Sequence, residues 1–225
     1  MSEMFYSLMD KGIILLGIWE TIYMTVLSTV VSYIIGLPLG LLLYVTDKDG
    51  IKPVKWLNKI VGTIVNVLRS IPFIILMVAV LPAAKLIVGT AMGNRAMIVT
   101  LIIAASPYIA RMVESSVKEV DKGVIEAAQS MGTSTFKIIY KVLIPEAKPS
   151  LIVGSVISSV TILGYSAMAG TIGGGGLGQI AISYGYQRYE NDIIWVAVVL
   201  TIIIVQIIQE IGMGIAHKVD KRINK

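Results

Sequence analysis

Five long apolar stretches, separated by short segments that hold nearly all of the charge, restrict this 225-residue chain to a membrane fold. Apolar residues make up 56% of it and charged residues only 15%, against roughly 25% charged in an ordinary soluble domain. A soluble domain of this length has no interior large enough to hide so much apolar surface, whereas a bilayer solvates it directly. The hydrocarbon core needs about 20 residues of helix per crossing. Spans are expected over 14–45, 60–81, 96–113, 151–169 and 193–215. The chain therefore reads as all-α and polytopic, one transmembrane domain over 1–225 with five transmembrane helices. The first span is long, which predicts tilt, an interfacial start, or a bend near Gly36, Pro38 and Gly40. It begins after Glu3 and Asp10 rather than a basic cluster and outruns the apolar core of a signal peptide, so it reads as a true span.

The formal net charge of +5 is distributed by side. Lys48, Lys52, Lys55 and Lys59 follow span one. Arg111, Lys118, Lys122, Lys137, Lys141 and Lys148 follow span three, and Lys218, Lys221, Arg222 and Lys225 form the tail. Those segments share a face if there are five spans, and hold 14 of the 19 Lys and Arg residues. Lys11, Lys85, Arg95 and Arg188 lie opposite, with Arg69 inside span two. The positive-inside rule then puts the N-terminus outside and the C-terminus in the cytoplasm of a multi-pass protein of the cell membrane. The segment 114–148 is cytoplasmic and the glycine-rich 170–192 faces outward. No basic and aromatic groove pattern is present, so nucleic acid is not an expected partner. With no cysteine there are no disulfides or thiolate metal sites, and His217 is alone in the basic tail, so no metal is expected.

The cytoplasmic segment reads VKEVDKGVIEAAQSMGTSTFKIIYKVLIPEAKPSL, too polar to span and too apolar for a linker. Val124, Ile125, Ala128 and Met131 recur at helical spacing. Beyond Gly132, with Thr133 or Ser134 as cap, Phe136, Ile139, Tyr140 and Leu143 share one helical face. Pro145 and Pro149 are expected to mark the end of that helix and the entry to span four. Two short amphipathic helices joined at a glycine suit either a lipid surface or a protein partner.

Glu126, Ala127 and Ala128, then Gly132, then a hydrophobic stretch closing at Pro145 resemble the EAA loop of ABC-importer permease subunits. Val142 and Ile144 stand where that pattern has Ile and Leu, with the spacing kept. The resemblance implies a type I ABC importer permease fold. It implies coupling to a separate ATPase through Glu126, Ala127, Ala128, Gly132, Phe136, Leu143 and Pro145. Gly132 would permit a tight bend where a Cβ would clash. Glu126 would either contact the ATPase or cap local backbone. RSIPFIIL (69–76) and GYSAMAGTIGGGGLGQIA (164–181) look like matching stretches of the methionine-importer permease branch, and the likeness covers about 19–211. That branch implies a homodimer, two copies of an ABC ATPase subunit that bind ATP and Mg, an extracytoplasmic substrate-binding lipoprotein, and methionine as substrate. The permease itself needs no cofactor.

Gly173, Gly174, Gly175, Gly176 and Gly178 formally fit G-x-G-x-x-G, but Gln179 and Ile180 replace the Lys and Ser/Thr of a P-loop and no strand precedes them. The cluster reads as irregular backbone near the outer mouth of a pore, or as a flexible external loop. The chain is therefore not the ATPase, and no nucleophile, base and orienting group occur together to make it another enzyme. Arg69, at a cost of roughly 2.5–3.5 kcal/mol at the bilayer centre, should face protein or water beside Asn66 or Ser70, or snorkel to the surface. Pro72 could kink span two. Arg69, Ser70, Pro72, Tyr165, Ser166 and Met168 are candidate pore or gate residues; ordinary helix packing is the alternative for the last three. Glu20 and Glu210 are read as lying near interfaces. Rival readings are an importer permease for another amino acid or an osmoprotectant and, from a different class, an ion-coupled carrier or channel.

Overall fold

The computed structural model describes residues 3–220. Lys221, Arg222 and Lys225 of the expected basic tail lie outside the described residues. In chain order the helices are α1 (Glu3–Asp10), α2 (Ile13–Thr46), α3 (Lys55–Ser70), α4 (Phe73–Val88), α5 (Asn94–Lys118), α6 (Lys122–Ser130), α7 (Thr135–Ile138), α8 (Ile144–Ala169), α9 (Gly176–Gln179) and α10 (Asn191–Val219). No strand occurs among the described residues. An apolar surrounding offers backbone groups no water, so a spanning segment must satisfy them within itself, and the helix does so.

Among the described residues four helical stretches are long and apolar enough to cross a bilayer alone, and α3 with α4 makes a fifth if that bent pair counts as one span. The span expected over 60–81, with Pro72 as its kink, falls on α3 and α4, which are bent by 112° at that break. Pro72 sits at the N-cap of α4 with φ −54° and ψ 136°. It supplies no N–H, and its ring turns the preceding residue away from helical conformation. Pro38, by contrast, lies inside an unbroken α2.

A correction concerns Pro145 and Pro149. Neither ends a helix, because Thr135–Ile172 is continuous over 38 residues. The wider five-residue turn Ile139–Leu143 precedes Pro145, with Ile144 N–H donating to Ile139 O. A proline interrupts the ordinary hydrogen-bond ladder, and one π turn before it shifts the register while keeping the helix intact.

Contacts divide the chain into two compact units. The first comprises Met1–Val31, Ile71–Ala105 and Ser158–Glu210. Its core gathers Leu8, Ile14, Leu163, Leu177, Ile180, Ile193 and Ile204. The second comprises Ser32–Ser70, Ser106–Ile157 and Ile211–Lys225. Leu43, Val65, Ile109, Val113, Ile138 and Leu143 are buried in it. Its α2 and α5 approach closely because Gly40 presents no side chain: a Cβ there would overlap Ala110 O and stand 2.7 Å from Val113 Cβ. After α2, Asn58 Nδ2 donates to Leu43 O at 2.7 Å and to Thr46 Oγ1 at 3.1 Å, closing the turn into α3.

Gly40→Val is expected to overpack this contact by about 1–3 kcal/mol. The melting temperature in detergent should fall by several degrees. Gly214→Ala, whose Cβ would meet nothing within 4 Å, should leave it unchanged or slightly raised.

Candidate functional site

The segment expected to couple to a partner lies in the second unit. Asp121 caps α6, accepting from Gly123 N–H at 2.6 Å. The helix ends in a Schellman motif: Gly132 N–H donates to Gln129 O at 2.9 Å and Thr133 N–H to Ala128 O at 3.1 Å. Gly132 has φ +72° and no atom within 4 Å of a Cβ position. Its requirement is therefore the left-handed backbone rather than the relief of a clash. The Glu126 carboxylate makes no hydrogen bond among the described residues, so of its two expected roles the local cap belongs to Asp121. Ser134 occupies the N-cap position of α7 without a side-chain bond.

Ile125, Ala128, Ile138 and Leu143 are buried, whereas Val124, Met131, Phe136 and Tyr140 are exposed. The expectation that Phe136, Ile139, Tyr140 and Leu143 share one face is corrected by the π turn. Its extra residue rotates the positions beyond it, so Leu143 turns inward with Ile138 while Phe136, 76% exposed, faces out. Ala127 and Pro145 are exposed.

The same unit holds a charge cluster that the sequence did not reveal as a unit. Arg111 Nη1 meets Glu114 Oε2 at 2.5 Å, and Lys118 Nζ meets Glu114 Oε1 at 2.7 Å and Asp47 Oδ2 at 3.1 Å. Arg111 Nη2 also donates to Asn66 Oδ1 at 2.9 Å. Arg111, Glu114 and Lys118 stand at i, i+3 and i+7 on α5, a legible helical spacing; Asp47 and Asn66 come from elsewhere in the chain. The expected partners of Arg69 are thereby occupied: Asn66 Oδ1 receives Arg111, and Ser70 Oγ donates to Asn66 O at 2.8 Å. Arg69 is exposed at the last turn of α3. Asp47 lies just beyond α2. Burial pushes its carboxyl up, but the hydrogen bond from Lys118, that from Lys48 N–H and both ammonium charges pull it further down, below the ordinary carboxylate value.

In the first unit the glycine cluster forms a packed turn rather than a loose loop. Gly174, Gly175, Gly176 and Leu177 are buried. Gly176 has φ +89°, reserved in practice for glycine in this setting. Four successive amides are all engaged. Gly174 N–H donates to Ala169 O at 3.0 Å, Gly175 N–H to Asn94 Oδ1 at 2.7 Å, Gly176 N–H to Glu20 Oε2 at 2.8 Å and Leu177 N–H to Thr21 Oγ1 at 2.9 Å. Asn94 Nδ2 donates to Glu20 Oε1 at 2.7 Å, and Gly93 N–H to Gly173 O at 2.9 Å. The only sequence signal for Glu20 was an acid within an apolar run; its partners are 74 and 156 residues away. Along α8, Tyr165 stacks on Phe73 with centroids 4.2 Å apart, Ser166 is buried and donates to Leu163 O, and Met168 is 47% exposed.

These features define a polytopic helical membrane protein with an exposed helical loop. The description "Binding-protein-dependent transport system inner membrane component" matches residues 36–225, and the chain belongs to that family of non-catalytic, multi-pass cell-membrane subunits. It is 48% identical over 214 residues to a probable D-methionine transport system permease of Vibrio cholerae, covering 95% of each chain. It is 48% identical over 204 residues to the methionine import system permease of Bacillus subtilis, covering 91% of this chain and 92% of the relative. Its fold matches a chain of an inward-facing methionine ABC transporter with a TM-score of 0.94 at 44% identity, covering 98% of this chain and 100% of that one.

Glu114→Ala strips both cations of their shared buried anion and should cost about 3 kcal/mol. Asp47→Asn, at the exposed edge, should cost less than about 1 kcal/mol. Because folding lowers the Asp47 value, its contribution is present above the unfolded value and lost as pH falls through the folded one. The melting difference between wild type and Asp47→Asn should accordingly vanish in acid.

Proposed function

We propose that this chain is the transmembrane permease of an ATP-driven methionine importer, acting as a homodimer in which each copy forms one transmembrane domain. The near-complete likeness to methionine permeases supports the substrate. The N-terminus lies outside and α6 and α7 lie in the cytoplasm, a reading supported by the lysine and arginine asymmetry. Two ATPase copies bind ATP and Mg and dock on the two loops, and a lipoprotein delivers methionine from outside.

The observation that carries the docking is the apolar cap of Val124, Met131, Phe136 and Tyr140, exposed around a turn closed by the Gly132 and Thr133 amides. A short helix held by a Schellman glycine transmits motion as a body when its partner moves. Glu126, on the same exposed surface, is free to meet a cation of the ATPase. Ala127, Ala128, Leu143 and Pro145 shape or anchor the segment. Tyr165, Ser166 and Met168, with Arg69, Ser70 and Pro72, are assigned to the pathway and its gate.

Labelled methionine uptake in proteoliposomes containing the ATPase and binding protein tests this reading. Uptake should require ATP; uptake that persists without the ATPase would instead indicate an ion-coupled carrier. Gly132→Val, which strains the left-handed turn, should lower uptake about tenfold or more while the dimer persists on gel filtration. Gly132→Asn, which tolerates that backbone, should retain most of it.

A further inference from the structure

The acid in α2 has a role that its position in an apolar helix does not announce. Two donors converge on Glu20, one on each oxygen: Asn94 Nδ2 at 2.7 Å and Gly176 N–H at 2.8 Å. A carboxylate accepts both at once. A neutral amide offers one acceptor oxygen and turns an NH2 toward the other donor. No cation pairs with Glu20 among the described residues, so neutral donors alone hold it.

The turn that Glu20 holds rests directly on the last turn of α8. A Cβ on Gly178 would overlap the backbone of Ala167, and one on Gly174 would lie 2.8 Å from Ala169 O. Gly170 is equally tight against Gly178 and Gln179. Such backbone-to-backbone contact leaves no soft side chain to absorb a displacement. Wherever the glycine turn sits, Ala167 and Ala169 must follow, and with them exposed Met168 and Tyr165 on its Phe73 stack.

We propose that Glu20 is a positioning residue for transport: its carboxylate, with Asn94, latches the glycine turn and thereby sets the C-terminal end of α8. This inference rests on the transport reading above. The latch is exchangeable in a defined way. Glu20→Gln opposes an NH2 to one of two donors, and Asn94→Asp sets two carboxylates against each other. The double variant Glu20→Gln/Asn94→Asp restores every bond. The introduced amide accepts from Gly176 N–H and donates to the introduced carboxylate, whose remaining acceptor capacity takes Gly175 N–H.

The experiment measures initial rates of ATP-driven methionine uptake in the reconstituted complex, and amide hydrogen exchange at Gly175–Leu177 in the purified protein. Each single variant should lower kcat about tenfold with KM within about twofold of wild type, and the double variant should recover at least half the wild-type rate. Exchange should quicken about tenfold in each single variant and return to the wild-type rate in the double. Single variants with normal kcat, or a double variant no better than either single, would overturn the positioning role. Unchanged exchange in Glu20→Gln would overturn the latch whatever the uptake shows. Wild type that fails to take up methionine while the exchange cycle holds would sink the substrate reading and leave the latch standing.

Discussion

Backbone polarity in an apolar surrounding governs this molecule. Every amide that enters lipid or a dry interior needs an acceptor that water will not supply. Long helices meet that demand internally, and the irregular places are those where side chains must complete the accounting. At the glycine turn Ala169, Asn94, Glu20 and Thr21 supply four acceptors to four successive N–H groups. At Pro145 no side chain is recruited; a π turn shifts the register instead. At Pro72 the helix yields and the chain bends through 112°. These are three outcomes of one constraint, separated by how much of the hydrogen-bond ladder is lost and what stands nearby.

The two compact units use charge differently. In the second, Glu114 is nearly buried between Arg111 and Lys118, so its charge is balanced by cations of its own helix and by the reach of Lys118 to Asp47. In the first, the acid of the glycine turn is matched only by neutral donors. A buried ion pair is costly to break, because separation leaves a charge stranded. A carboxylate held by amides is likewise costly to strip, because losing its donors leaves the anion unsolvated. The exposed loop obeys a third rule. Its turn is closed by the Schellman bonds of the Gly132 and Thr133 amides, while Phe136 and Tyr140 remain uncovered, a surface suited to a protein partner.

Much of the helical segment after α5 could be read directly. Glu126 to Pro145 has a recognisable spacing, and Gly132 belongs at the turn because helices commonly end on a left-handed glycine. Its inner and outer faces could not be read correctly, because periodicity assumes 3.6 residues per turn and one π turn breaks that count before Leu143. In span two Pro72 marked the place of the kink but not its size, because hydropathy sums apolar residues across Ile71 and Pro72 and is blind to the direction of the backbone between them.

Sequence alone determined that this chain lives in a membrane, how many apolar segments it has and where its short amphipathic helices lie, since those depend on composition and local spacing. Tertiary structure alone decided what the lone acid in α2 does. Glu20, Asn94 and Gly176 are brought within hydrogen-bonding distance from 74 and 156 residues apart. Nothing in the chemistry of a single helix indicates which distant donors it will face. That choice is made when helices pack, because only then does an unmatched amide select the acceptor that happens to be near.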